Sequence, residues 1–324
     1  MTETTAESRR LIYGCMGLGG PWDAPEYGTG DIDQAAAAIE AAEGIGVTLF
    51  DHADIYRGGK SEAVFGEVMA RTPGLRERIR LQTKCGIRLG SPGVPGHYNL
   101  SRDAILERVN GSLERLKTDY VDVLLLHRPD PLLDPGEVAA AVGQLMAEGK
   151  VRQLGVSNMS AAQIAYLQDS LETPIVANQL EMSLLKRDWL ESTVLVNHPD
   201  GNGINFPHGT LEHCMRQGIE LQAYGSLARG LYTGAAAGEE SANGESPETA
   251  TAELIAALAQ EHHATPEAVL LGWLMKHPAG ISPVIGSTRP DRIAACTDAA
   301  RVAEALTRTQ WYSLWTTARG KAIP

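Results

Sequence analysis

The chain has 324 residues and a net charge of −12, and 43% of its residues are hydrophobic. This composition is typical of a globular protein with a large core, and the acidic charge argues against a nucleic-acid partner. No apolar run approaches the roughly 20 residues that span a bilayer, and the N-terminus lacks the apolar core of a signal peptide. We therefore expect a cytoplasmic protein without a membrane partner.

Cysteine and histidine usage argues against two further classes of protein. Four cysteines without a Cys-x-x-Cys pair do not form a disulfide framework in a chain of this length. The segment that holds His198, His208, His213 and Cys214 matches no standard zinc spacing, so we expect no metal. Nothing in the sequence indicates an oligomeric state.

Eight short apolar runs recur along the chain, and most are separated by segments with helical periodicity. Continuous apolar strands are typical of a parallel sheet covered on both faces, and eight strand–helix units favour a closed (β/α)8 TIM barrel over an open sheet. We predict a single barrel domain over residues 1–324. The predicted strands are Leu11–Cys15, Val47–Asp51, Ile79–Lys84, Val121–Leu126, Val151–Ser157, Ile175–Gln179, Ile219–Tyr224 and Ile281–Ile285.

Two segments interrupt this pattern. Residues 190–209 are interpreted as an irregular insertion after the sixth strand. Residues 233–251, rich in Gly, Ala, Ser and Glu, predict a mobile loop after the seventh strand. Near the end of the chain, Trp311 and Trp315 have the spacing of neighbours on one helix face, which predicts a helix that packs on the barrel.

A polar residue ends or directly follows most of the predicted strands. In TIM barrels the active site lies at the carboxyl ends of the strands, so we expect these side chains to converge. Tyr56 follows one of these strand ends by five positions. The strand-end residues are Asp51, Lys84, His127, Ser157, Gln179, Tyr224 and Ser287.

These groups suit the donation of a proton to an oxygen that gains charge, as in carbonyl reduction. The phenol of Tyr56 has an ordinary pKa of roughly 10, and a nearby Lys84 ammonium favours its ionised form. Asp51 would keep Lys84 charged and oriented, and His127 would hydrogen-bond the reacting oxygen or relay a proton. The hydride must come from elsewhere, which implies a nicotinamide cofactor.

Several short segments, in their order and spacing, carry a family resemblance. They are Asp51-His-Ala-Asp-Ile-Tyr56, Gly59-Lys-Ser-Glu62 with Gly66, Gln82-Thr-Lys84-Cys, Leu124-Leu-Leu-His127-Arg-Pro-Asp, Gly155-Val-Ser157-Asn158, Asn178-Gln179, Ala223-Tyr224-Gly-Ser226 and Gly286-Ser-Thr-Arg-Pro-Asp-Arg292-Ile. Together they resemble the aldo-keto reductases over nearly the whole chain. The resemblance implies a catalytic tetrad of Asp51, Tyr56, Lys84 and His127, with Tyr56 as the general acid.

The same resemblance implies a set of residues that contact NADP(H). Those at the nicotinamide ring and its carboxamide are Ser157, Asn158, Gln179 and Tyr224, with Gly19 in the first loop. Those along the pyrophosphate are Ser226, Leu227, Arg229 and Gly230. Those near the adenosine phosphate are Gly286, Ser287, Arg289 and Arg292.

We expect NADP(H) to be preferred over NAD(H). If Pro290 begins a helix, the extra phosphate would meet backbone N–H groups at its start and the guanidinium of Arg292. The chain departs from the family at Gly286, where many members have a lysine that Arg289 would replace. It also has Ala295-Cys296 where many members have a Glu-Asn pair.

The substrate, a small carbonyl compound, would be contacted from loops. Trp22, in the Gly-rich first loop, is expected to form a pocket wall. His97 and Tyr98 fall in the loop after the third strand and are candidates for substrate contact. For Arg128 a structural ion pair and a substrate contact remain equally open.

Two other functions fit parts of the sequence. A barrel aldolase would use Lys84 as a Schiff-base nucleophile, although this leaves Asp51 and Tyr56 unexplained. A cofactor-sensing regulatory subunit, like some relatives in this family, would bind NADPH without useful turnover.

Overall fold

The computed structural model describes residues 10–234 and 246–324. Its strands are short and largely buried, as expected of strands covered by helices. They are β1 (Ile12–Gly14), β2 (Leu49–Asp51), β3 (Arg80–Cys85), β4 (Ile87–Arg88), β5 (His97–Tyr98), β6 (Val121–Leu126), β7 (Val151–Ser157), β8 (Ile175–Glu181), β9 (Glu220–Tyr224) and β10 (Ser282–Ile285).

Helices follow most of the strands in the chain. Within the described ranges, no helix is both long and apolar enough to cross a bilayer. The helices are α1 (Thr29–Gly44), α2 (Lys60–Arg71), α3 (Leu75–Arg78), α4 (Arg102–Leu116), α5 (Pro135–Ala147), α6 (Ala161–Gln168), α7 (Asp188–Val194), α8 (Thr210–Gln217), α9 (Pro247–Glu261), α10 (Pro266–Met275), α11 (Pro290–Ala294), α12 (Ala299–Ala305) and α13 (Arg308–Arg319).

Eight strands form a closed barrel in the order β1, β10, β9, β8, β7, β6, β3, β2. Neighbouring strands such as β2 and β3, or β6 and β7, pair in parallel. The predicted (β/α)8 TIM barrel is therefore confirmed. The remaining strands, β4 and β5, pair antiparallel in a separate hairpin.

One compact unit comprises Ile12–Gln179 and Gly286–Ile293. Its core includes three aromatic rings that are fully buried, Tyr13, Phe50 and Phe65. Successive ring centroids in this set lie 5.7 and 5.3 Å apart at tilted angles, which is a favourable arrangement for aromatic pairs. Strands β1, β2, β3, β6 and β7 belong to this unit.

A second compact unit contains residues 180–234, 246–285 and 294–324, together with residues 10–11. Its core includes Trp189, Trp273, Trp311 and Trp315. The rings of Trp273 and Trp311 stack with centroids 5.4 Å apart, and each indole N–H donates to the other residue's carbonyl at 2.9–3.1 Å. The helix predicted from Trp311 and Trp315 is α13.

The two segments predicted to be irregular are partly helical. Residues 190–194 belong to α7, and residues 247–251 form the start of α9, where Pro247 takes the first position and Ser246 caps the helix. Residues 235–245, the centre of the predicted mobile loop, lie outside the described residues. β8 continues two residues beyond the predicted end at Gln179.

Candidate active site

Asp51 and Lys84 meet at the carboxyl ends of two paired strands. Asp51 is the last residue of β2 and lies opposite Gln82 of β3 in the parallel register. Because side chains alternate along a strand, Gln82 and Lys84 are on the same face. Lys84 Nζ donates to Asp51 Oδ2 at 2.7 Å, and Gln82 Nε2 donates to Asp51 Oδ1 at 2.6 Å. The lysine and aspartate side chains are only 1% and 3% exposed.

Tyr56 completes a hydrogen-bonded chain with this pair. It begins the 3-10 turn Tyr56–Gly59, and its hydroxyl lies 3.1 Å from Lys84 Nζ. The ammonium also donates to the carbonyl of His52 at 2.9 Å. Its three N–H groups thus have Asp51, His52 and Tyr56 as partners. The sequence places Asp51, Lys84 and Tyr56 together, and the structure does the same.

The electrostatics of the chain keep both the lysine and the phenol protonated. Burial disfavours the ammonium of Lys84, but Asp51 and Tyr56 outweigh it and raise the pKa of Lys84. Burial raises the pKa of Tyr56, and the neighbouring ammonium opposes this rise without cancelling it. The expectation that Lys84 favours the phenolate is correct in sign, but desolvation is the larger effect.

His127 directly follows β6, and its imidazole is close to the phenol. The ring centroids of Tyr56 and His127 lie 6.1 Å apart at an interplanar angle of 82°. Burial, then the charges of Lys84 and Arg128, lower the pKa of His127 to about 2. A neutral imidazole at working pH can hydrogen-bond a reacting oxygen but is a poor proton source. Its Nδ1 has no hydrogen-bond partner among the described residues.

The sequence analysis did not predict the contacts of several residues near the site. Gln82 orients Asp51, and its position two before Lys84 in the strand was the available signal. Lys60 Nζ donates to the carbonyl of Pro21 at 2.7 Å and to that of Ala24, which fixes the loop that carries Trp22. Asp54 is fully buried two residues before Tyr56, an arrangement with no sequence signal.

Ser157, Asn158 and Gln179 form a hydrogen-bonded cluster at the ends of β7 and β8. Ser157 Oγ donates to the Gln179 carbonyl at 2.9 Å, and Asn158 Nδ2 donates to Ser157 Oγ at 2.8 Å. The backbone of Asn158 is left-handed, with φ of 58°, and its amide N–H donates to the Gln179 carbonyl at 3.0 Å. The structure therefore brings together three residues predicted at the nicotinamide.

The segment after β10 has the predicted helix start, and Arg289 makes an ion pair within it. Pro290 begins α11, and Ser287 Oγ accepts from the Arg289 N–H at 3.2 Å. The Arg289 guanidinium makes an exposed ion pair with Asp291 at 2.5 Å. To take the place of the lysine missing at Gly286, Arg289 would have to leave this exposed pair, and its contact with the cofactor phosphate stays a prediction. Arg292 is partly buried in the same helix.

Five of the predicted cofactor residues lie in the second compact unit. Tyr224 is the last residue of β9, and Ser226 Oγ donates to the Val284 carbonyl at 2.8 Å. Leu227 caps the 3-10 turn Ala228–Gly230, where Arg229 is exposed and has a left-handed φ of 56°. The N–H groups of Ala228 and Gly230 donate to the carbonyls of Gly225 and Leu227, and the contact of this turn with the pyrophosphate stays a prediction.

The candidate substrate residues have different environments. Trp22 is 49% exposed and lies 5.2 Å from the Arg57 guanidinium. His97 and Tyr98 are exposed in β5, which pairs with β4 in a hairpin within the connection between β3 and α4. Their hairpin was missed because the Gly- and Pro-rich segment around it lacks strand periodicity. The ion pair considered for Arg128 is absent from the described ranges.

Gly19 is required by backbone geometry. Its φ is 88°, and a Cβ atom there would lie 2.8 Å from the Lys60 carbonyl carbon. A side chain at this position would therefore clash with the backbone at the start of α2, and relieving the clash would require that backbone to move. No group of three or more metal-binding side chains occurs in the part of the chain that the structure describes.

Comparison with known proteins assigns the family. A sequence model described as "Aldo/keto reductase family" matches residues 10–314. The chain is 38% identical over 319 residues to oxidoreductase YcsN of Bacillus subtilis, which covers 97% of this chain and 96% of that protein. It is 35% identical over 324 residues to a 6-dehydroglucose reductase of Agrobacterium fabrum, with 98% and 96% covered.

The fold comparison agrees with this assignment. The structure of a glycerol dehydrogenase from Gluconobacter oxydans superimposes with a TM-score of 0.79 over 97% of this chain and 93% of that one, at 22% identity. At that identity the likeness concerns the fold alone. The chain belongs to the aldo-keto reductases, an oxidoreductase family whose members use nicotinamide cofactors.

Proposed function

We propose that this protein reduces aldehydes or ketones to alcohols with NADPH, and that Tyr56 is the general acid. The observation that carries the proposal is the buried chain from Asp51 through Lys84 to the Tyr56 hydroxyl, with links of 2.7 and 3.1 Å. A buried hydroxyl that is protonated at rest and touches a fixed ammonium suits proton donation to an oxygen that gains charge.

Each tetrad residue has a task that follows from its contacts. Asp51 compensates the charge of Lys84, and Lys84 stabilises the phenolate that remains after Tyr56 gives up its proton. His127, held neutral, donates a hydrogen bond to the carbonyl oxygen and thereby orients the substrate. When bound, the nicotinamide cofactor supplies the hydride, which the protein itself cannot provide.

The residues present fit a nicotinamide cofactor. A primary carboxamide needs both donors and acceptors, which Ser157, Asn158 and Gln179 offer together at the ends of β7 and β8. For the adenosine phosphate, Ser287, the start of α11 and Arg292 are the candidate contacts, and Arg289 contributes less because of Asp291. We propose that NADP(H) is preferred over NAD(H) because Arg292 binds the additional phosphate. The other predicted residues would contact the cofactor along its length: Gly19, Tyr224 and the turn from Ser226 to Gly230.

The aldolase alternative is disfavoured by the state of Lys84. A Schiff-base lysine must be deprotonated to attack a carbonyl, whereas the pKa of Lys84 is raised and its N–H groups are bound. The relative named a 6-dehydroglucose reductase supports an aldehyde or ketone as substrate. We further propose that the two compact units form a single domain and that the protein acts in the cytoplasm.

A carbonyl panel read by loss of NADPH absorbance tests this proposal. The panel should contain aromatic aldehydes, short aliphatic aldehydes and sugar aldehydes, and NADPH binding should be measured separately by fluorescence. Turnover of any panel member that disappears in Lys84→Met supports the proposal. Tight NADPH binding without turnover across the panel would favour the regulatory subunit instead. Borohydride trapping of substrate on Lys84 would favour the aldolase.

A further inference from the structure

Arg128 is a partly buried arginine without a partner in the described structure. It lies directly after His127, beyond the end of β6. Across residues 10–234 and 246–324, its guanidinium has neither a hydrogen bond nor a carboxylate within ion-pair distance. Arg76, Arg108 and Arg187 have comparable side-chain exposures of 16–31%, and each has a carboxylate within 4 Å.

The carboxylate nearest to Arg128 in the sequence is occupied elsewhere. The two oxygens of Asp130 accept hydrogen bonds from the backbone N–H groups of Leu100 at 3.0 Å and Leu132 at 2.9 Å. Pro129 lies between Arg128 and Asp130 and favours an extended backbone at Arg128. Arg128 is therefore left without a carboxylate partner among the described residues, and none of its nitrogens is a buried atom without a hydrogen bond. Its guanidinium thus reaches solvent and is open to an anion.

This charge acts on the candidate catalytic site. Lys84 and Arg128 both contribute, after burial, to the lowered pKa of His127. The charge of Lys84 is matched by Asp51 at 2.7 Å, whereas that of Arg128 is not matched within the described chain. In a protein of net charge −12, Arg128 thus presents a positive charge without a carboxylate partner directly after His127. Such a local field attracts anions.

We propose that Arg128 binds a carboxylate or phosphate group on the substrate, so that the preferred substrates are aldehydes or ketones that carry an anionic group. The inference rests on the proposed reductase function and names its substrate class. The planar guanidinium offers two parallel N–H donors to such an oxyanion. The neighbouring imidazole of His127 would bind the carbonyl oxygen of the same molecule.

Paired substrates that differ only in the anion provide the test. The carboxylate pair is 4-carboxybenzaldehyde and its methyl ester, and the phosphate pair is glyceraldehyde 3-phosphate and glyceraldehyde. Wild type, Arg128→Gln, Arg128→Lys and the control Arg102→Gln are compared with NADPH. Arg102 is an exposed arginine of α4 that already has a carboxylate partner, Asp103 at 3.1 Å, so its substitution makes the same change in net charge without removing an unpaired guanidinium.

The expected result is a selective loss. Arg128→Gln should lower kcat/KM for the anionic member of at least one pair about 10- to 100-fold, mostly through KM, and change the neutral member less than about twofold. Arg128→Lys should fall between Arg128→Gln and wild type, and Arg102→Gln should match wild type. In wild type, kcat/KM for the anionic member should also fall as ionic strength rises from about 0.02 to about 0.5 M.

Contrary outcomes separate this proposal from the reductase function. A wild type that favours the neutral members, or an Arg128→Gln variant that affects both members of each pair equally, overturns the role of Arg128 but leaves carbonyl reduction intact. Should Arg128→Gln fail to fold, the salt dependence in wild type decides, and its absence for both pairs is also contrary. Inactivity towards every carbonyl would instead overturn the proposed function itself.

Discussion

Lys84 Nζ lies 2.7 Å from Asp51 Oδ2, and both side chains are buried. Removing one member of a buried ion pair strands the other charge, which typically costs about 3–5 kcal/mol. We therefore expect Asp51→Asn to lower both the melting temperature and kcat, while Asp33→Asn, an exposed aspartate of α1, changes neither. A calorimetric melting temperature equal to that of wild type would contradict the buried pair.

Asp54 should make folding stability depend on pH. Burial raises the pKa of Asp54 to about 7, above its value in the unfolded chain. The folded protein therefore binds this proton more tightly, and the resulting stability, present at low pH, is lost as pH rises towards 7. The side chain is 3.7 Å from Arg108, and neither of its oxygens has a hydrogen bond among the described residues.

Asp54→Asn removes this titration. Denaturant unfolding should show the variant to be more stable than wild type at pH 8 by on the order of a few kcal/mol, with a smaller gain at pH 5. Asp103→Asn, whose side chain is 92% exposed, is the matched control and should leave the profile unchanged. A gain of equal size at both pH values would show that burial of the charge is not the cause.

Glu191 anchors the last helix in the second compact unit. Arg319 Nε donates to its two oxygens at 3.1 and 2.8 Å, and the Trp315 indole donates at 3.0 Å. The Arg319 and Glu191 side chains are 4% and 7% exposed. Arg319→Met should lower the free energy of unfolding by about 3–5 kcal/mol. Arg301→Met breaks an exposed pair with Asp298 and should cost less than about 1 kcal/mol, which urea titration would resolve.

Cofactor preference should depend on Arg292 and not on Arg289. Arg292→Ala should lower kcat/KM for NADPH about tenfold or more while changing that for NADH little, since only NADPH carries the additional phosphate. Arg289→Ala should leave the ratio of the two nearly unchanged, because that guanidinium is already paired with Asp291. Equal use of the two cofactors by wild type would contradict the phosphate site.

The sequence was sufficient to predict the barrel and the proximity of Asp51, Tyr56, Lys84 and His127. Repeated apolar strands separated by helical periodicity predict a parallel barrel, and its topology then gathers strand-end side chains such as Asp51 and Lys84. No local pattern predicts α7, which contains Trp189 and buries the ring of that residue completely. Tertiary packing decides that helix, and a single sequence does not show it.

Electrostatic states were the least predictable feature. The pKa values of Tyr56 and His127 are set chiefly by burial, which depends on residues far away in the chain. Asp54 reads as an ordinary loop aspartate, yet its side chain is fully buried. The start of α11 at Pro290 was predicted. The ion pair with Asp291, which sets the direction of the Arg289 side chain, was not predicted.

The central claim is that the Tyr56 hydroxyl donates the proton. Tyr56→Phe removes that hydroxyl and keeps the ring, so kcat for carbonyl reduction should fall at least about 10²-fold, the lower range for general acid catalysis. NADPH affinity, measured by fluorescence on the same preparation, and the melting temperature should stay close to those of wild type. A Tyr56→Phe protein that binds NADPH and reduces the same carbonyl at a near-normal rate would contradict the account.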